Sequence, residues 1–158
     1  MSILIKNGRV ITAAESYIAD VYTEGEKIIA IGRDLPHKAN KVIDATDKLV
    51  FPGGIDPHVH LDMPFMGTYS SDDYETGTRA ALFGGTTMVI DFIIQTQGDT
   101  LRNALKTWQK KSEGKAIGDY SYHMAVTDFN DHVAKEVVQM IEEEGISSFK
   151  TFMAYKGA

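Results

Sequence analysis

Two histidines, His58 and His60, are the residues whose type and spacing best suit metal chemistry. Alternate side chains of a β-strand share a face, so in an extended segment both imidazoles could hold one cation between them. An isolated pair of this kind is more often a surface or core feature. Here Gly53 and Gly54 precede the pair and Pro57 lies beside it, which indicates the end of a strand where the backbone approaches another group closely. Functional groups collect at such strand ends, so this context favours a metal site.

The charge and the lack of cysteine limit which partners and metal ligands are plausible. The 158 residues are 43% hydrophobic and 24% charged, which is ordinary for a globular protein. The net charge of −6, without any basic run, disfavours nucleic acid and anionic membranes as partners. The absence of cysteine excludes disulfides and thiolate ligands, so a metal would be held by nitrogen and oxygen. We therefore expect a small-molecule ligand.

Neither an export signal nor a membrane segment is predicted. The first residues have no long apolar stretch or small-residue cleavage site, and no segment approaches about 18 consecutive apolar residues. We predict a cytoplasmic protein.

The first 52 residues read as short strands joined by tight turns, and we interpret residues 1–52 as the N-terminal portion of a β-sandwich. Asn7-Gly8 is a two-residue hairpin signal, and Glu24-Gly25-Glu26 predicts a second hairpin. The predicted strands cover residues 3–6, 9–12, 20–23, 27–31, 41–44 and 49–51.

After Pro52 the pattern changes to alternating strands and helices, which is typical of a parallel sheet. The four predicted strands cover residues 54–60, 86–92, 120–126 and 148–153. The three predicted helices run from Ser71 or Asp72 to Phe83, from Asp99 or Thr100 to Gly114, and from Asn130 or Asp131 to Gly145.

Four such units suit either a small open sheet or half of a barrel. His58 and His60 fall at the C-terminal end of the first strand, where (β/α)8 barrels carry their active sites, so the barrel is favoured. We predict an α/β fold in which residues 53–158 form the first half of a TIM-like barrel. Because a whole barrel takes about 250 residues, we expect the chain to be part of a longer protein. A self-contained four-stranded domain and a swapped dimer stay open.

Three segments carry a family resemblance. They are GIDPHVHLDMP at residues 54–64, GGTT at 84–87 and SFKTFMAYKG at 148–157. In this order they resemble the dihydropyrimidinase and D-hydantoinase family of cyclic amidohydrolases. The resemblance covers the whole chain and corresponds to the N-terminal part of longer family members.

The resemblance implies a hydrolase with two divalent metal ions, most often Zn²⁺, with Mn²⁺ or Co²⁺ as alternatives. It implies that His58 and His60 bind the more buried metal and that carbamylated Lys150 bridges both. The apolar neighbours of Lys150 support this role, because partial desolvation favours the neutral amine that reacts with carbon dioxide.

The resemblance also implies how substrate is held. Tyr155 would hydrogen-bond the developing oxyanion and so serve both catalysis and binding. Met63, Phe65 and Phe152 would shape an apolar pocket for the ring substituent. Asp91 and His123, which are also on predicted barrel strands, are interpreted as satisfied buried polar groups rather than ligands.

The implied reaction is hydrolysis of the cyclic amide bond of dihydropyrimidines or substituted hydantoins to N-carbamoyl amino acids. A homotetramer is implied by analogy. The later histidines and the aspartate that complete the family site are absent from these 158 residues, so we expect the chain by itself to have little or no activity. The alternatives are another cyclic amidohydrolase, such as a dihydroorotase or allantoinase, and a non-enzymatic scaffold.

Overall fold

The computed structural model of the protein describes residues 1–65 and 67–153. Contacts divide the chain into two compact units, Met1–Pro52 and Gly53–Ala158. Among the described residues, no helix is long and apolar enough to cross a membrane.

The first unit is a mixed five-stranded sheet. Its strands are β1 (Ser2–Ile11), β2 (Ser16–Glu24), β3 (Lys27–Gly32), β4 (Lys41–Asp44) and β5 (Leu49–Val50). β1 is antiparallel to β2 and parallel to β4 and β5, and β3 pairs with the other side of β2. The hairpin predicted around Gly25 is confirmed, since Gly25 has φ 60° between β2 and β3.

The hairpin predicted at Asn7-Gly8 is wrong. β1 passes through both residues, and its register against β2 shifts between Ile5 and Gly8. Asn7 has φ 62° and donates its N–H to Asp20 Oδ1 at 2.9 Å. Asn7 and Gly8 therefore form a bulge within one strand. Glycine suits position 8 because a Cβ there would lie 2.4 Å from Val50 Cγ2.

The second unit contains a parallel four-stranded sheet with helices between its strands. The four strands of this sheet are β6 (Gly54–Val59), β9 (Thr86–Ile94), β10 (Asp119–Ala125) and β11 (Phe149–Lys150). Between β6 and the first helix, β7 (Pro64–Phe65) and β8 (Thr68–Tyr69) form a separate antiparallel pair. The helices are α1 (Tyr74–Phe83), α2 (Leu101–Ser112) and α3 (Asp131–Glu142).

The strand order confirms the predicted fold class. The parallel sheet runs β11-β10-β9-β6, so each βα unit adds its strand beside the previous one. A doubly wound sheet would reverse direction at a switch point, whereas a barrel continues in one direction. This unit is the first half of a (β/α)8 barrel. The small β7–β8 hairpin was not predicted.

Helix starts follow capping chemistry. Thr100 caps α2 and Asn130 caps α3, each as one of two predicted residues. α1 starts later than predicted, because Asp73 forms a capping box with Thr76 and so becomes the N-cap in place of Ser71 or Asp72.

The two faces of the sheet have different partners. On β9, Val89 and Ile93 belong to the core that includes Leu101, Leu105 and Trp108 of α2. Because side chains alternate along a strand, Phe92 points to the opposite face. That opposite face is the one that would line the barrel interior.

Candidate metal centre

The pairing of β6 with β9 is irregular at Pro57 and His58. Between Asp56 and Val59, β6 advances three residues while β9 advances two, which is a β-bulge. Pro57 fits this place because proline has no N–H to donate to the ladder. The His58 N–H donates to Asp56 Oδ1 at 3.1 Å instead. The bulge thus sets the backbone from which the first imidazole projects.

The imidazoles of His58 and His60 lie edge to face, with ring centroids 5.2 Å apart. Both rings contact Phe92 of β9, at 4.5 Å and 5.3 Å between centroids. The two side chains therefore lie on one face of the sheet, as their spacing predicts.

The environment of His60 suits the metal-ligand role predicted for it. Its Nδ1 is buried and has no hydrogen-bond partner in the part of the chain that the structure describes. Burial lowers the pKa of His60, and the charges of His58 and Lys150 lower it further. A neutral imidazole with a free nitrogen is the form that binds a metal ion.

Lys150 reaches the same place from the other edge of the sheet. It lies on β11, pairs with Ala125 and is half-buried. Its Nζ lies 4.4 Å from the ring centroid of Phe92 and 5.2 Å from that of Phe152. Because its charge also acts on His60, the three residues predicted to bind metal converge around Phe92.

The side chains near His58 and His60 offer few donors to a metal ion. Across residues 1–65 and 67–153, no three His, Asp or Glu side chains form a group that could hold one. Two imidazoles need at least one more donor. A carbamate on Lys150 would supply oxygen donors, whereas the unmodified ammonium would repel the cation. The residues present fit a metal ion if Lys150 is carbamylated.

Comparison with known proteins identifies the family. The model of the amidohydrolase family matches residues 49–154, which include β6, the histidine pair and β11. The chain belongs to the amidohydrolase family. Membership implies metal-dependent chemistry and agrees with the donor set described above.

The relatives of this amidohydrolase chain have consistent names. It is 53% identical over 156 residues to a D-hydantoinase of Geobacillus stearothermophilus, covering 99% of this chain and 33% of that protein. It is 46% identical over 158 residues to a dihydropyrimidinase of Dictyostelium discoideum, covering 99% and 31%. The crystal structure of dihydropyrimidinase from Brevibacillus agri NCHU1002 aligns with a TM-score of 0.97 at 52% identity, covering 100% of this chain and 34% of that one.

These relatives confirm the resemblance to dihydropyrimidinases and D-hydantoinases. The amidohydrolase chain spans about a third of the length of the curated relatives that it matches.

The residues predicted to contact substrate are dispersed. Met63 packs against the helix-facing core, Phe65 is 57% exposed on β7, and Phe152 lies beside Lys150. Tyr155 lies outside the described residues. The structure therefore brings Phe152 beside Lys150, one of the residues predicted to bind metal, and the substrate roles of all four residues stay predictions.

Asp91 and His123 are both hydrogen-bonded. Asp91 Oδ2 accepts a bond from Tyr74 Oη at 2.6 Å on the helix side of the sheet. His123 lies on the interior face, where its Nε2 bonds the Pro57 carbonyl and its Nδ1 contacts Ser148 Oγ. Both therefore have the partners expected of satisfied polar groups.

Sequence reasoning missed the part that Phe92 plays. Its ring contacts His58, His60 and His123, and the Lys150 Nζ lies over it. The available signal was strand alternation, which places Phe92 on the face opposite the core residues of β9. Only the register between strands shows that the other side chains meet there.

A cavity of about 670 Å³ lies between the β7–β8 hairpin, the end of β9 and α2. Asp62, Ile94, Trp108 and Lys111 are among its lining residues. The Lys111 ammonium donates to the Asp62 carbonyl and lies 4.7 Å from the Trp108 ring centroid. This cation therefore serves to hold the segment that follows the histidine pair.

Proposed function

We propose that the complete protein carrying this chain is a metal-dependent cyclic amidohydrolase. It would hydrolyse the cyclic amide bond of dihydropyrimidines or substituted hydantoins to give N-carbamoyl amino acids. The relatives named D-hydantoinase and dihydropyrimidinase support this substrate class. The observation that carries the proposal is the convergence of His58, His60 and Lys150 around one aromatic ring.

His58 and His60 would hold the first of two divalent ions, for which we propose Zn²⁺, with Mn²⁺ and Co²⁺ as alternatives. When bound, the ions supply Lewis-acid polarisation of a carbonyl and a water of lowered pKa. The orphaned Nδ1 of His60 and the lowered pKa of this ring support its part in that site.

Lys150 would become a bridging ligand by carbamylation. The ammonium first gives up a proton, and the amine nitrogen then forms a bond to the carbon of carbon dioxide while its second proton leaves. The product is an anion with two oxygens, which replaces a cation with a donor that can span two metals about 3.5–4 Å apart. The half-buried position of Lys150 between Phe92 and Phe152 supports this step, because burial disfavours the ammonium.

The remaining roles concern substrate. Tyr155 would donate a hydrogen bond to the oxyanion that develops on the attacked carbonyl. Met63, Phe65 and Phe152 would surround the ring substituent, with Phe152 the best placed because it already lies beside Lys150. A cytoplasmic location and a homotetramer complete the proposal.

Two other functions, from different classes, use the same fold. A dihydroorotase or allantoinase would use a similar set of ligands, and a scaffold protein would use none. The names of the similar proteins favour hydrolysis of dihydropyrimidines or hydantoins. Turnover rates for dihydrouracil, hydantoin, dihydroorotate and allantoin, measured on one preparation, separate the three enzyme classes.

The test uses the complete protein, with metal content measured beside hydrolysis. His58→Asn is expected to lose bound metal and to lower kcat/KM on the order of a thousandfold, since metal stabilises the transition state by several kcal/mol. His132→Asn is the matched control, because this histidine is 68% exposed on α3. Purified protein that binds no metal and hydrolyses none of the four substrates would contradict the proposal and favour a scaffold.

A further inference from the structure

His123 lies on the interior face of the sheet and has both ring nitrogens engaged. It belongs to β10, which is two strands away from β6. Its ring centroid lies 4.7 Å from that of Phe92. Nε2 lies 2.9 Å from the carbonyl oxygen of Pro57, and Nδ1 contacts Ser148 Oγ. The ring therefore bridges β10 to the strand that carries the histidine pair.

These partners define the tautomer of His123. A backbone carbonyl can only accept, so Nε2 carries the hydrogen and donates it to Pro57. In the neutral ring Nδ1 is then the acceptor, and the Ser148 hydroxyl donates to it. Ser148 is held in turn, because its carbonyl accepts the Met124 N–H at 3.0 Å. The imidazole is thus oriented from both sides.

The bond from His123 ends on the peptide unit between Pro57 and His58. The oxygen of this peptide accepts from His123, and its N–H donates to Asp56 Oδ1 at 3.1 Å. The C=O and the N–H of this peptide are therefore both hydrogen-bonded to side chains, at the bulge where the pairing of β6 with β9 is irregular. Because a peptide is planar, holding it restricts ψ of Pro57 and φ of His58. These angles set the direction in which the His58 side chain leaves the backbone.

We propose that His123 is a positioning residue for the metal site. By holding the Pro57–His58 peptide, it aims the His58 imidazole at the ion that His58 shares with His60. The inference rests on the proposed function, because it concerns the same site. Outer partners that orient metal ligands typically change metal affinity by 10–100-fold, and an effect in this range is expected here.

The test compares Co²⁺ binding by the complete protein and its variants. His123→Leu leaves the Pro57 carbonyl without its donor, so we expect about 10–100-fold weaker Co²⁺ binding. The visible absorption spectrum of the bound Co²⁺ should also change, because it depends on ligand geometry. His123→Gln places an amide N–H near the position of Nε2, and we expect it to restore most of the affinity and the original spectrum.

A control separates positioning from a general loss of stability. Glu136 on α3 is buried and accepts the Leu101 N–H at 2.8 Å, so its hydrogen bond joins two helices rather than two strands of the sheet. Glu136→Met removes a side-chain hydrogen bond to a backbone group, as His123→Leu does. We expect it to lower the midpoint of thermal unfolding while leaving the Co²⁺ affinity and spectrum unchanged.

A folded His123→Leu variant with unchanged Co²⁺ affinity and spectrum would overturn the inference. If that variant does not fold, Ser148→Ala takes its place: it frees the ring of His123 without removing it, and unchanged Co²⁺ binding would overturn the inference equally. Failure of the unmodified protein to bind Co²⁺ would instead overturn the proposed function, and the inference with it.

Discussion

The carboxylate of Asp91 accepts a hydrogen bond from the hydroxyl of Tyr74 at 2.6 Å, and both residues are fully buried. Burial raises the pKa of Asp91, while the bond from Tyr74 acts in the opposite direction. Burial also raises the pKa of Tyr74, which keeps the hydroxyl protonated as a donor. Asp91 Oδ2 also accepts the Leu61 N–H at 3.4 Å. The Tyr74–Asp91 pair is therefore joined to the backbone just after the end of β6.

Tyr74→Phe is expected to lower the free energy of unfolding by about 1–3 kcal/mol near neutral pH, because a buried carboxylate loses a donor. Loss of this bond also raises the pKa of Asp91 further. The stabilisation by the bond is therefore present above the pKa of Asp91 and is lost as the pH falls through it. The cost of the substitution should shrink towards acid pH, which urea denaturation at two pH values measures.

Tyr120→Phe is the control for this measurement. Its ring lies 5.9 Å from that of Tyr74, but the residue is 36% exposed, so we expect a change within about 0.5 kcal/mol. Equal destabilisation of Tyr74→Phe at both pH values would show that Asp91 is not the partner that matters.

Lys150→Arg is expected to abolish binding of the bridged metal pair. Arginine keeps the charge and stays protonated, so it cannot form a carbamate. We expect kcat/KM to fall on the order of a thousandfold, with a lower metal content. Isotopically labelled bicarbonate should give a carbamate signal by NMR in the unmodified protein and none in the variant. A variant that retains both metal ions would disprove the bridging role.

Glu136→Met should destabilise the second unit without affecting chemistry. The substitution leaves the Leu101 N–H at the start of α2 unsatisfied, at a cost of about 1–3 kcal/mol. Glu143→Gln is the comparison, because Glu143 forms an exposed ion pair with Arg102 at 2.7 Å, and its loss should cost about 0–1 kcal/mol. Chemical denaturation of both variants measures the difference. Equal losses in the free energy of unfolding would show that the hydrogen bond from Leu101 to Glu136 does not stabilise the start of α2.

Gly53→Ala tests the close approach at the start of β6. A Cβ at this position would lie 2.1 Å from Thr87 Oγ1 and 2.7 Å from Thr87 Cβ, so the strands must shift. Overpacking of this kind costs about 1–3 kcal/mol. The double variant with Thr87→Gly should recover part of the loss. If the two effects in the free energy of unfolding are simply additive, the contact is not the cause.

Periodicity was sufficient to predict the barrel half. The alternation of strands and helices gave the order of β6, α1, β9 and α2, and the i, i+2 spacing placed two imidazoles on one face. These features depend on local sequence. Asn7-Gly8 was misread because its bulge depends on Asp20, which accepts the Asn7 N–H from the neighbouring strand.

The bulge and the hydrogen bonds that hold the Pro57–His58 peptide could not be predicted either, because they too depend on pairing between strands. The irregular step between Asp56 and Val59 is a property of pairing with β9. His123 finds Pro57 only because β9 and β10 bring it across the sheet. No local pattern distinguishes such a histidine from a satisfied core residue.

The bond between His123 and Pro57 has a consequence for biosynthesis, because it joins residues 66 positions apart. The segment with His58 and His60 leaves the ribosome well before β10, and Ser148 emerges later still. A nascent chain would therefore contain both imidazoles while the peptide that aims the His58 imidazole was still free to rotate. We expect metal loading to follow the assembly of the four strands, because the ligands are aimed only once their distant neighbours are in place.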